Sequence, residues 1–220
     1  MREAGYALDR GEGKRPDESL RESLLERAIW RRWRWNENLA FNEPQGCFVT
    51  NQCTHIQTYQ MPLQNSNLDK SWGRIDLIGV SPAGTPVVFE LKKEEADDTP
   101  LRMLVEGLAY AVAVRRAWNE GTLRERWLQH LVPTQNAEEI PTTLLTVPVV
   151  GIAPSEFWNK RTATNGPDRV TNAAWLPFSG LCKACNERGF PISFIAFDAQ
   201  ENDEHDFPLI KNVRSLQLPS

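Results

Sequence analysis

The chain has 220 residues, enough for one substantial α/β or α+β domain and short for two. It is 40% hydrophobic and 25% charged, the balance of a folded protein, and its four cysteines make no disulfide framework but suit free thiols in a reducing cytoplasm. A net charge of −4 excludes a global basic footprint for nucleic acid, the longest apolar run (Leu145 to Pro154) is too short to cross a bilayer, and the opening MREAGYALDR lacks the apolar core of a secretory leader.

Residues 1–16 are mixed in charge and read as a flexible N-terminal arm, with one domain over 17–220. Asp17 suits the N-cap of a helix from about Glu18 to Trp35, in which Leu20, Leu24, Ala28 and Ile29 recur at helical spacing. Its far end interleaves Trp30, Trp33 and Trp35 with Arg31, Arg32 and Arg34. Extended segments are expected near Cys47–Thr50 and His55–Pro62, followed by a polar loop. Residues 73–93 read as two β-rich runs around a turn. Helices follow at about Thr99–Trp118 and Leu123–Leu131, then a strand at Leu144–Ile152 and short helical pieces. A helix near Asn172–Arg188, a strand at Ile192–Asp198 and a last extended stretch at Leu209–Leu218 complete the order.

The chemistry concentrates in residues 73–93. Glu90 and Lys92 are two apart, so a strand projects them together, and Val87, Val88, Phe89 and Leu91 mark that strand as largely buried. Charges in such a place are costly unless they are paired or bind something. Asp76 lies in the other run, RIDLIGV. The stretch Ser81-Pro82-Ala83-Gly84-Thr85 suits a three-residue hairpin with Gly84 in the left-handed position, which pairs Ser81 with Thr85 and sets Asp76 opposite Glu90. A two-residue loop would set Asp76 opposite Leu91, on the wrong face. Two carboxylates and a lysine at one point suit a hard divalent cation with a phosphate substrate, and the main-chain carbonyl of Leu91 is a further candidate ligand.

Asp76, thirteen residues, then Glu90-x-Lys92, in adjoining strands between helices, resembles the PD-(D/E)XK nuclease superfamily. The resemblance covers residues 17–118 well and the rest by topology. It implies a restriction-endonuclease-like α/β (α+β) core, a central mixed β-sheet flanked by helices. It also implies Mg²⁺ (or Mn²⁺) held by Asp76 and Glu90, with Lys92 serving the attacking water and DNA as the substrate. Many members add an acid on the first helix, which Glu22 matches through Leu25 and Ile29, with Glu18 and Glu26 as competitors. Some members carry Gln and Tyr four apart on the helix after the motif; here Glu106 and Tyr110 stand at that spacing, and Ile75 replaces the usual Pro before Asp76. Many proteins with this core dimerise, so a homodimer is compatible with it, although no interface pattern shows in the sequence.

Other features have plainer readings. Cys182-x-x-Cys185 has the spacing of half a zinc site, with Cys47 and Cys53 as the other half, but it lies in a helical pattern whose Leu181, Ala184 and Cys185 share an apolar face. The Trp/Arg stretch could stack on bases, or Ile29 and Trp33 pack inward while the arginines solvate the outer face. The acids Glu94, Glu95, Asp97 and Asp98 read as a solvated loop, and with the acidic balance they favour the alternative of a non-catalytic binding or assembly module.

Overall fold

The computed structural model describes residues 21–34, 53–62, 73–94, 98–130, 136–162, 172–200 and 208–216. The expected arm (1–16), the start of the first helix, Glu18, Trp35, the segment Cys47–Thr50 and the end of the last extended stretch lie outside these residues. The order is α1 (Arg21–Trp33), β1 (His55–Pro62), β2 (Arg74–Val80), β3 (Pro86–Leu91), α2 (Pro100–Asn119), α3 (Thr122–Gln129), β4 (Val149–Pro154), α4 (Ser155–Thr162), α5 (Asn172–Glu187), β5 (Ile192–Gln200) and β6 (Leu209–Ser215).

The β2–β3 hairpin sets the register of the site. Ser81 N–H donates to Thr85 O at 2.8 Å and Gly84 N–H to Ser81 O at 2.9 Å, while Gly84 takes φ +73°. The loop therefore has three residues, and the register runs Val80↔Pro86, Gly79↔Val87, Ile78↔Val88, Leu77↔Phe89, which leaves Asp76 facing Glu90 as expected. Trp127 of α3 fixes the tip by donating to Gly84 O at 2.8 Å.

The six strands form one sheet in the order β1-β2-β3-β4-β5-β6. β1, β2 and β3 are antiparallel, β3, β4 and β5 are parallel, and β6 returns antiparallel to β5. The architecture is mixed α/β with helices on both faces. On one face α1 packs Leu25, Ile29, Trp30 and Trp33 against Leu77, Phe89, Leu91 and Ile152. On the other face α2 places Ala111, Val114 and Trp118 against Ile78, Val88 and Val149, while Met103 and Leu104 meet Phe157, Trp158 and Phe194. The strands β3 and β4 are buried throughout, which explains their unbroken apolar runs. No helix of the described residues is long and apolar enough to cross a membrane.

Two boundaries and one inward face differ from the sequence reading for local reasons. The strand expected from Leu144 starts at Val149, because Pro148 has no N–H to offer a ladder and contributes only its carbonyl, which accepts from Val88 N–H. The helix α2 begins at Pro100, with Thr99 as its N-cap accepting from Arg102 N–H at 3.2 Å. Leu181 is exposed rather than part of an apolar face with Cys185, since Cys182 takes the inward position of α5.

Gly107 brings α2 close to the middle of the sheet. A Cβ there would lie 2.7 Å from Val149 Cγ1 and 3.5 Å from Glu90 Cβ. Valine is stiff at χ1 and cannot swing away. Gly107→Ala is therefore expected to destabilise by about 1–2 kcal/mol net of alanine's better helix propensity, which lowers the melting temperature by several degrees in a thermal scan.

Candidate functional site

The site lies at the end of β3, where the β2–β3 ladder stops. The last cross-strand pair is Leu77↔Phe89. Beyond it, Asp76 Oδ2 takes the place of a main-chain acceptor and receives Leu91 N–H at 2.7 Å. In an extended strand the N–H and C=O of one residue point to the same side, so the Leu91 carbonyl is directed toward Asp76 as well. Lys92 N–H points the other way, to Ile152 O of β4 at 3.0 Å.

Glu90 and Lys92 share the α2 face, as their spacing requires. Lys92 Nζ lies 2.7 Å from Glu90 Oε1, 2.6 Å from Glu106 Oε2 of α2 and 3.6 Å from Asp98 Oδ2. Arg102 closes the outer side, with Nε 2.9 Å from Glu106 Oε1 and Nη1 2.9 Å from Asp98 Oδ1. Glu90 and Lys92 are buried, at 3% and 6% exposure, so this network is shielded from solvent screening on its inner side. Glu90 Oε2 is buried and accepts no hydrogen bond, while the Glu90 carboxyl shares a hydrogen bond with Glu106 that favours the protonated form of the former and the ionised form of the latter.

The electrostatics follow from counting charges. One buried ammonium faces Asp76, Glu90, Glu106 and Asp98. Burial, and then the neighbouring Asp76, push the Glu90 carboxyl far above the ordinary carboxylate range despite Lys92. Burial likewise raises Asp76, opposed by the Leu91 N–H and reinforced by the charge of Glu22. For Lys92, burial works against the ammonium but is outweighed by Glu90 and Glu106, so the group is held above its usual value. Glu106 is also opposed by burial, yet its hydrogen bonds to Lys92 and Arg102 hold it below the usual range.

Glu22 reaches the same corner from α1 on the opposite face. It is half-buried, its carboxyl is raised chiefly by burial, and it feels the charges of Lys92, Lys93, Asp98 and Glu106. Its competitor Glu26 is engaged elsewhere, both oxygens lying 2.6 Å from Gln60 Nε2. Tyr110 is half-buried nearby; burial, followed by Glu90 and Asp76, pushes its hydroxyl up to about 12.

All four sequence candidates, Asp76, Glu90, Lys92 and Glu22, thus meet at one corner with the Leu91 main chain. The loop reading of the acids after β3 is corrected at Asp98, which turns inward to Lys92 and Arg102 because the buried ammonium and the first turn of α2 attract it. Glu94 does point outward, 3.8 Å from Lys160. Glu106 is not a mere spacing match, since it is a principal partner of Lys92. Gln60 carried no sequence pattern that would single it out.

The remaining candidates fall away from the corner. Cys53 sits in the α1-side core, whereas Cys182 is buried on the α2 side, so these two thiols cannot share an ion; Cys47 lies outside the described residues. Trp30 and Trp33 are buried, Arg32 donates to Ile210 O, and Arg34 stacks 4.8 Å from the Trp30 ring centroid. That stretch is core with a cationic rim.

The donor set fits a hard cation. Among the described residues no group of three or more His, Cys, Asp or Glu side chains is arranged to hold a metal ion. Asp76, Glu90 and the Leu91 carbonyl are instead two carboxylates and a main-chain oxygen, the sparse oxygen set with which Mg²⁺ and Mn²⁺ retain several waters. A dication there would replace the proton that burial and Asp76 keep on Glu90. No family model, curated protein or solved structure matches the chain.

Proposed function

We propose that the protein is a metal-dependent phosphodiesterase acting on DNA through a site of the PD-(D/E)XK type. The observation that carries this reading is the convergence of Asp76, Glu90 and Lys92 at one strand end, with Glu22 and Glu106 supplied from opposite faces of the sheet. Asp76, Glu90 and the Leu91 carbonyl would hold Mg²⁺ or Mn²⁺, which supplies positive charge beside a phosphoryl oxygen and lowers the pKa of a water. Lys92 keeps its proton at neutral pH, so it serves as a donor rather than a base. It orients the attacking water or offsets charge on the phosphate as the bond forms. Glu106 and Asp98 hold the ammonium in place, and Glu22 adds a carboxyl at the rim.

A test is incubation of the protein and its Lys92→Ala variant with supercoiled plasmid and single-stranded DNA in Mg²⁺, Mn²⁺ or EDTA. Metal-dependent cutting by the unsubstituted protein alone is the expected outcome. A second reading, a non-catalytic binding or assembly module, draws on the satisfaction of Lys92 by three carboxylates. Absence of cutting on both substrates, with and without metal, would favour it.

A further inference from the structure

Gln60 has φ +52°, in the left-handed region that a glutamine rarely adopts. Asn212 shares this feature, but asparagine tolerates it and lies by a bulge in the β5–β6 pairing. Gln60 lies opposite Asp76, between the pairs Tyr59↔Leu77 and Met61↔Ile75, at the one step after Thr58 where the β1–β2 ladder skips a pair without a shift of register. Such a conformation persists only where the surroundings over-determine it.

The surroundings are the side-chain contacts. Gln60 Nε2 lies 2.6 Å from both oxygens of Glu26, which is 1% exposed, and Gln60 Oε1 accepts from Arg74 at 3.4 Å. Across the strand the consequence is visible in β2. Ile75 packs in the α2-side core together with Ile78, whereas Leu77 packs on the α1 side, so the two-residue alternation breaks at Asp76. A regular strand would send the Asp76 carboxyl onto one face; here it lies toward β3 and takes Leu91 N–H. Glu26 is also one helical turn after Glu22, so anchoring Glu26 fixes the rotation of α1 that turns Glu22 to the same corner.

We infer that the Gln60–Glu26 pair is a positioning clasp, which bends β1 opposite Asp76 and sets the orientation of both Asp76 and Glu22. Its service to a metal site rests on the functional reading above; its effect on Asp76 does not. Neither residue touches the reacting atoms.

The test uses hydrogen exchange of the Leu91 amide in the metal-free protein. Gln60→Ala and Glu26→Ala are expected to accelerate that exchange by about tenfold or more, while the Phe89 and Ile152 amides keep their protection. Glu26→Gln retains an acceptor for Gln60 Nε2 and is expected to preserve Leu91 protection. Gln60→Gly guards against misfolding, because glycine adopts the backbone angle freely while lacking the clasp. Loss of Leu91 protection in a folded Gln60→Gly supports the clasp, and retained protection there overturns it. Mn²⁺ affinity of the same proteins is expected to fall about tenfold with the clasp removed. Failure of the unsubstituted protein to bind Mn²⁺ would overturn the metal reading and leave the amide result to decide the clasp.

Discussion

Replacing Asp76 by asparagine is expected to abolish metal-dependent cleavage and, in the same protein, to raise metal-free stability. The carboxylate is buried and shares its corner with Glu90, Glu106 and Glu22, so ionising it in the fold is unfavourable. Asparagine keeps an oxygen to accept Leu91 N–H but carries no charge. The gain should be on the order of 1–2 kcal/mol near pH 8, of the size seen when an unfavourable buried charge is removed. The sign with pH follows from the direction of the shift. A carboxyl raised above its unfolded value of 3.8 contributes stability that is complete below that value and is lost as pH rises toward the folded value. Urea titrations in EDTA should therefore show the unsubstituted protein weakening from pH 4 toward neutrality, and Asp76→Asn weakening less. Equal slopes for the two proteins would mean that Asp76 is not the strained acid.

The second large effect is at Lys92. Lys92→Ala removes the buried ammonium that faces Glu90, Glu106 and Asp98 and is expected to reduce cleavage by about a thousandfold or more. Unlike Asp76→Asn it should also destabilise, by roughly 2–4 kcal/mol at pH 8, because it removes the ammonium that hydrogen-bonds Glu90 and Glu106 and leaves a cavity beside the buried Glu90. The two substitutions are thus expected to abolish the proposed activity alike while moving stability in opposite directions. Undiminished turnover in a folded Lys92→Ala would remove the lysine from the machinery.

The hairpin was legible because Pro82, Ala83 and Gly84 specify one loop length, and loop length fixes register; Asp76 and Glu90 then had to face each other. The helix α2 was legible from Thr99-Pro100 and its apolar repeat. What could not be read was where the alternation of β2 breaks, since the cause lies in Gln60 on a neighbouring strand and in Glu26 on a helix 34 positions away in the chain. Asp98 was misread for a related reason. Within a run of acids nothing local distinguishes the one that turns back to a buried ammonium from those that face solvent. The fold class and the site residues emerge from local patterns, whereas the fine orientation of the carboxylates depends on long-range contacts.

The central claim is that Asp76 and Glu90, whose carboxyls burial keeps protonated well above the usual range, give up those protons to a divalent cation. An equilibrium Mn²⁺ titration followed by electron paramagnetic resonance, on the unsubstituted protein and on Asp76→Asn, tests it most directly. The account predicts saturable binding to the unsubstituted protein that Asp76→Asn abolishes. Binding of equal strength in both, or in neither, would contradict it.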